Sequence, residues 1–285
     1  MKSRGMIKIL CLVLAASMLL SLTACGGGNT VKPTSSTTTT TSTTSKTTTT
    51  TTEDDWLDDD DPEASVKPYD APVRPLDNGQ KVEVGNIVTF GSYPQSKTGA
   101  SAPIQWIVLD VKDGKALLLS RYVLDSVQYH GEYESVTWEK SDIREWLNTV
   151  FLKAAFGTGN ERLVSSVSKA DRTPEQDNAA DPGNDVTDKV FLLSAVDVLN
   201  TSYGFNTSVH SGYQDPIRMA VPTDYAISKD VPYYDDGNAE WWLRSTGGNG
   251  GKNAVYIYSD SFVCTLGGYV IHEKGVRPSV WVTLN

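Results

Sequence analysis

The chain has 285 residues, with 25 Lys+Arg against 35 Asp+Glu and a formal charge of -10, a length that accommodates one domain with appendages. Hydrophobic residues at 39% and charged residues at 21%, with 7 Trp and 13 Tyr, allow a packed core and exclude collagen-like and wholly disordered chains. The acidic balance excludes a nucleic-acid partner, because phosphates select basic surfaces.

The first predicted segment is an export signal, 1–24. Lys2, Arg4 and Lys8 lead into an apolar stretch from Ile9 to Leu20 that is too short for a stable span. Ser21-Leu22-Thr23-Ala24-Cys25 follows, and it resembles the lipobox of bacterial lipoproteins, where a Cys thiol takes a diacylglyceryl group before cleavage ahead of it. The resemblance implies lipid attachment at Cys25, the membrane as a partner through that lipid, and a location on the extracellular face of the bacterial cell membrane. Each buried methylene of an acyl chain contributes about 0.8 kcal/mol, so two or more chains are needed for a lasting anchor. Loss of residues 1–24 leaves 22 basic against 35 acidic residues, a charge of -13. Cys11 leaves with the signal and Cys25 is lipidated, so Cys264 stands alone and no intrachain disulfide is expected.

Residues 25–79 are expected to form a disordered stalk behind the lipidated Cys25. Between Thr34 and Thr52 every residue but Lys46 is Ser or Thr, and the acidic run from Glu53 to Asp61 is followed by Pro62, Pro68, Pro72 and Pro75. Such composition cannot offset the entropy of ordering. It reaches on the order of 40 Å as a coil and about 170 Å when extended. The acidic run lacks the Gly and terminal Glu spacing of an EF-hand loop.

A single globular domain is expected over 80–285. Asn86–Phe90 reads as a strand, and Ile104–Val111 with Ala116–Ser120 as a hairpin around Lys112-Asp113-Gly114-Lys115. Ser141 can cap a helix in which Ile143, Trp146, Leu147, Val150, Phe151 and Ala154 recur at helical spacing before Gly157 ends it. The polar stretch Asp171–Asp188 reads as a surface loop, Lys189–Leu193 as a buried strand, and Ser194 with Asp197 as a capping box. Further strands are predicted at Trp241–Ser245, Ala254–Tyr258, Phe262–Leu266 and Val276–Thr283. About eight short strands with two or three helices, without regular alternation, indicate an α+β fold with mainly antiparallel sheets.

The ordered series Phe90-Gly91-Ser92-Tyr93-Pro94-Gln95, Pro103–Leu109, Ile143-Arg144-Glu145-Trp146-Leu147-Asn148, Asp188–Ser194, Trp241-Trp242-Leu243-Arg244-Ser245 and Gly275-Val276-Arg277-Pro278 resembles a bacterial domain family of unknown function common in surface proteins of gut Firmicutes. The resemblance covers nearly all of 86–284. More distantly, the Trp-rich strand ending in Arg and the closing Gly-Val-Arg-Pro strand are similar to the C-type-lectin-like fold, shared with formylglycine-generating enzymes. That likeness implies a C-type-lectin-like architecture and no function. The enzymes of that fold use paired thiols that hold copper. Cys264 is the sole cysteine of the expected domain, so their activity does not carry over, and alternation around it indicates a small core residue.

Physically, Arg244 and Arg277 sit in apolar strands, where a guanidinium persists by stacking on an aromatic and forking onto a carboxylate or carbonyls. Alternation puts Trp241 and Leu243 on one face of their strand and Trp242 and Arg244 on the other, with one face in the core. The run Gly247–Asn253 fails as a phosphate loop, since Thr246 stands where Gly is needed and Asn253 replaces the hydroxyl. His130, His210 and His272 are scattered, so no metal site is expected. No Gly-x-Ser-x-Gly elbow occurs.

The candidate ligand surface lies between Tyr203 and Trp242, where Tyr213, Tyr225, Tyr233, Tyr234 and Trp242 mix with Asp215, Asp224, Asp235, Asp236 and Glu240. Aromatic faces beside carboxylates suit sugar rings, and clustered carboxylates leave calcium open, although no cofactor is called for. Tyr233, Asp235, Asp236, Trp242 and Arg244 are the residues selected as ligand-binding, with no catalytic set. The expected function is a lipid-anchored cell-surface binding or interaction module for a glycan or surface protein. The runner-up is an extracellular enzyme acting on glycans or proteins, and a third reading is a structural envelope component.

Overall fold

The computed structural model describes residues 70–77, 79, 81–157, 161–171, 180–210 and 214–284. The export signal, Cys25 and the stalk up to residue 69 lie outside the described residues, as do 172–179 of the predicted loop and Tyr213.

Strand β1 (Val73–Pro75) pairs in parallel with β2 (Ile87–Pro94), which continues through β3 (Ser101–Lys112) and β4 (Lys115–Ser120) as an antiparallel meander. The β3–β4 turn is the predicted one, with Asp113 and Gly114 both at positive φ as a tight hairpin demands. Apolar β-branched and leucine residues fill Ile107–Leu109 and Ala116–Leu119 without alternation, and all of them are buried. A continuous run of that kind marks a sheet covered on both faces. β2 extends past the predicted end at Phe90 because a bulge lies between Thr89 and Ser92. Gly91 occupies it at φ 68, and a Cβ there would come within 2.7 Å of the Phe156 ring and 2.8 Å of Ala155 O.

Helix α1 spans 142–156. It runs as α-helix over Asp142–Trp146, as a π turn over Leu147–Phe151, and as α-helix again over Leu152–Phe156. Ser141 caps it by accepting from Arg144 N–H at 3.4 Å, and Gly157 ends it. The π turn corrects the predicted face. Ile143, Leu147 and Phe151 are buried as expected, but Val150 is 56% exposed, and Ala155 and Phe156 replace Ala154 against the sheet. One extra residue in a turn moves every later side chain around the axis.

Strand β5 (Asp125–Gln128) precedes α1, and the short strands β6 (Leu163–Val164), β7 (Ser166–Ser168), β8 (Val186–Asp188) and β9 (Val190–Phe191) follow it. The predicted loop 171–188 therefore ends in a strand, and Asp188 is buried, because β8 pairs with β7. The capping box forms reciprocally: Ser194 N–H donates to Asp197 Oδ2 at 2.8 Å and Asp197 N–H to Ser194 Oγ at 3.1 Å. A four-residue helix, α2 (Asp224–Ile227), is capped by Thr223.

The C-terminal third supplies β10 (Trp241–Thr246), β11 (Asn253–Ile257), β12 (Val263–Tyr269), β13 (Glu273–Val276) and β14 (Ser279–Thr283). Two larger sheets result. One has seven strands in the order β1-β2-β3-β4-β14-β6, with β9 also on β14; the other has five in the order β12-β11-β10-β13-β5. Among the described strand pairs only β1–β2 and β10–β13 are parallel, beside one isolated parallel bridge between Val123 and Pro222, so the class is α+β with mostly antiparallel sheets and few short helices.

The single strand predicted over Val276–Thr283 is in fact two, because the chain changes sheets at Arg277-Pro278. Proline cannot donate to a ladder, and Arg277 is withdrawn between the sheets with no exposure. Its Nε donates to Ser120 O at 2.7 Å, its other nitrogens to Ile217 O and Arg121 O, and its guanidinium lies 5.0 Å from the Trp241 ring centre.

Candidate functional site

All six residues of β10 are buried, so both of its faces are covered rather than one. Trp241 donates through Nε1 to Arg218 O at 2.9 Å and carries Arg277 over its ring. Trp242 donates through Nε1 to Val127 O at 3.1 Å and meets Tyr129 and Tyr256 edge to face, at 5.6 and 6.0 Å between centres.

Arg244 is 5% exposed and fully engaged. Its Nε donates to Lys169 O at 2.8 Å, and Nη1 donates to Leu192 O at 2.8 Å and Asp197 Oδ2 at 2.7 Å, with Phe191 5.9 Å away. This is the stacked and forked arrangement that an arginine needs in an apolar strand. The other motif residues are spent in the same way. Arg144 Nε donates to Asp188 Oδ1 at 2.8 Å, Trp138 Nε1 donates to Asp188 Oδ2 at 3.0 Å, and Asn148 exchanges hydrogen bonds with the backbone of Lys189 and Val190.

The selected Tyr233, Asp235 and Asp236 share a tight turn at the start of the β10 segment. Tyr233 bridges to Ala239, Gly237 N–H donates to Tyr234 O at 2.8 Å, and Asn238 N–H donates to Asp236 Oδ1 at 3.1 Å. Local hydrogen bonding by Asp and Asn favours such turns. Tyr233 is 52% exposed, and Asp235 and Asp236 face solvent.

A buried polar cluster anchors this turn. Tyr234 Oη donates to Glu240 Oε1 at 2.6 Å, while Glu240 Oε2 is in direct contact with Lys274 Nζ. The ammonium stands 3.8 Å from the Tyr256 ring centre and 5.5 Å from that of Trp242, a cation held over aromatic faces. Burial pushes the Tyr256 phenol well above its ordinary range, with Cys264 and Glu240 adding to the effect.

Four of the five selected residues thus belong to one neighbourhood. The turn carries Tyr233, Asp235 and Asp236, and Trp242 is joined to it through Glu240 and Lys274. Arg244 is held by a different set of groups. The sequence pattern does not single out Lys274 or Tyr256, although a lone lysine ahead of Gly275-Val276 is a visible signal. Asp215 is likewise internal, in an ion pair with Arg218 in which both are buried. Cys264 is fully buried. Among the described residues no three His, Cys, Asp or Glu side chains are placed to share a metal ion.

A second buried pair joins β2 to β5. Tyr93 Oη donates to Asp125 Oδ2 at 2.6 Å, Ser126 N–H donates to Oδ1 at 2.8 Å, and Tyr225 of α2 meets the Tyr93 ring edge-on. Burial raises the Asp125 carboxyl above the usual aspartate range, against the pull of Tyr93 and the Ser126 N–H.

No curated protein matches the chain, and no solved structure matches it either. Residues 113–284 match the model of DUF6273, a domain of unknown function. The match takes in α1, the β10 strand with its turn, Lys274 and Arg277, and the chain belongs to that family.

Proposed function

We propose that the protein is a lipid-anchored binding module of the bacterial cell surface, with a C-type-lectin-like domain that presents the Tyr233–Gly237 turn to a glycan or a surface protein. One observation carries this reading: Arg144, Asp188, Arg244 and Arg277 of the motifs are engaged by internal partners, while Tyr233 stands half exposed beside Asp235 and Asp236. A rigid framework that displays an aromatic ring next to carboxylates suits recognition of a ring-shaped polar ligand. Arg144, Arg244 and Arg277 act as rivets, and binding falls to the displayed loop.

The anchor rests on the run Ser21-Leu22-Thr23-Ala24-Cys25 behind a basic and apolar leader. The part of the expected 25–79 stalk ahead of β1 would hold the domain away from the bilayer, since Val73–Pro75 belong to the sheet and Leu76 is buried.

The test has two arms. Cells fed a labelled fatty acid should incorporate label into the full chain, and a Cys25→Ser variant should not. The full chain, probed against arrays of wall glycans, host glycans and surface proteins with and without calcium, should bind at least one of them. An unlabelled chain or a silent array would overturn the corresponding half.

A further inference from the structure

Lys274 is the only buried lysine, and Glu240 the only buried glutamate, among the described residues, and they touch each other. Two buried charges are costly to desolvate, and a lone buried ion pair is weak as a stabilising device.

The pair is held in one geometry. Glu240 directly precedes β10 and Lys274 lies on the parallel neighbour β13, where Trp241 stands opposite Gly275 and Gly275 N–H donates to Glu240 O at 2.9 Å. The lysine Nζ lies over the Tyr256 and Trp242 rings, and a Cβ on Gly268 would come within 3.0 Å of Cε. Tyr234 Oη–H donates to the carboxyl oxygen that does not touch the lysine.

We propose that Glu240 and Lys274 condense into an intramolecular amide that ties β10 to β13. In this step Nζ passes one proton to the Oε2 it touches, which frees its lone pair; Nζ then bonds to Cδ of Glu240 and the Cδ–Oε2 bond breaks. Of the three ammonium hydrogens one stays on the amide nitrogen and two leave with Oε2 as water, so atoms and charge balance without any co-reactant. Tyr234 Oη–H, aimed at Oε1, stabilises the oxyanion of the tetrahedral intermediate, as an oxyanion donor does. Fixing both partners on adjacent strands supplies the proximity that a condensation needs. The product replaces two desolvated charges with one neutral amide, which removes the cost that the ion pair carries. It also gives the domain a covalent tie that its single cysteine cannot.

Peptide mapping of the full chain extracted from membranes tests this directly. Trypsin does not cut after an acylated lysine, and Pro278 protects Arg277. The amide therefore predicts residues 230–244 joined to 253–285, one water lighter than the two peptides together. Lys274→Arg, which keeps the charge, should abolish the joined species. Recovery of peptide 253–274 as the main product, or a joined species that persists in Lys274→Arg, would overturn the proposal.

Discussion

Arg277 shows what a single side chain contributes here, because it bonds Ser120 of one large sheet, lies over the Trp241 ring of the other and has no exposure. Replacing it with Met would leave the carbonyls of Ser120 and Ile217 without a donor. Each buried group so orphaned costs about 1–3 kcal/mol, so Arg277→Met should lower unfolding stability by at least about 2 kcal/mol in urea titration. A neutral effect would show that the residue is not a rivet.

Asp125 gives a pH-dependent signature. Its folded carboxyl binds its proton more tightly than the unfolded one does, so stability is greatest below the ordinary aspartate value of 3.8 and declines as pH rises through the raised value. Asp125→Asn cannot ionise and should flatten that part of the stability curve; an unchanged slope would exclude Asp125 as its source. The stacked and forked environment of both arginines was legible from a guanidinium in an apolar strand. The partner of Lys274 was not, since Glu240 is 34 residues distant and no local pattern announces their meeting.

Among the elements, α1 displays both the reach and the limit of periodicity. The cap at Ser141, the stop at Gly157 and the first half of the buried face follow from spacing alone, whereas the π turn depends on tertiary contacts. Asn148 lies inside that turn, where it accepts from the N–H groups of Lys189 and Val190 at 3.0 and 3.2 Å and donates to Val190 O at 2.8 Å. Asn148→Ala should accordingly cost about 1–3 kcal/mol and increase hydrogen exchange at Lys189 and Val190. Unaltered exchange there would detach the helix from β9. The β10–β13 pair is equally constrained: a Cβ on Gly275 would lie 2.5 Å from both Glu240 O and Val123 Cγ1. The split of the final predicted strand has a similar origin, because eight apolar-rich residues read as continuous until two sheets compete for them.

At the scale of the molecule, the family match starts at residue 113, inside the β3–β4 turn. The described fold does not start there. β3 pairs with β4 along most of its length, and β2 receives the end of α1 at Gly91. A chain limited to 113–284 would expose the inner edge of β4 and the apolar face that β2 and β3 cover. We expect it to unfold without a cooperative urea transition, while 70–284 unfolds in a single one; equal cooperativity would make β1–β3 dispensable.

The sheet-rich class and most strands could be read from apolar runs and turn residues. The grouping of Tyr233, Asp235 and Asp236 could be read because they are neighbours in sequence. The separation of Arg244 from them could not, since it depends on contacts with Lys169, Leu192 and Asp197 from distant segments. What this division of labour implies can be measured in one comparison on the glycan and protein arrays. The full chain should be retained on at least one probe, and the combined variant Tyr233→Ala, Asp235→Asn, Asp236→Asn should lose that retention with an unchanged melting temperature. Equal retention of the variant, or no retention of the native chain, would contradict binding at the displayed turn.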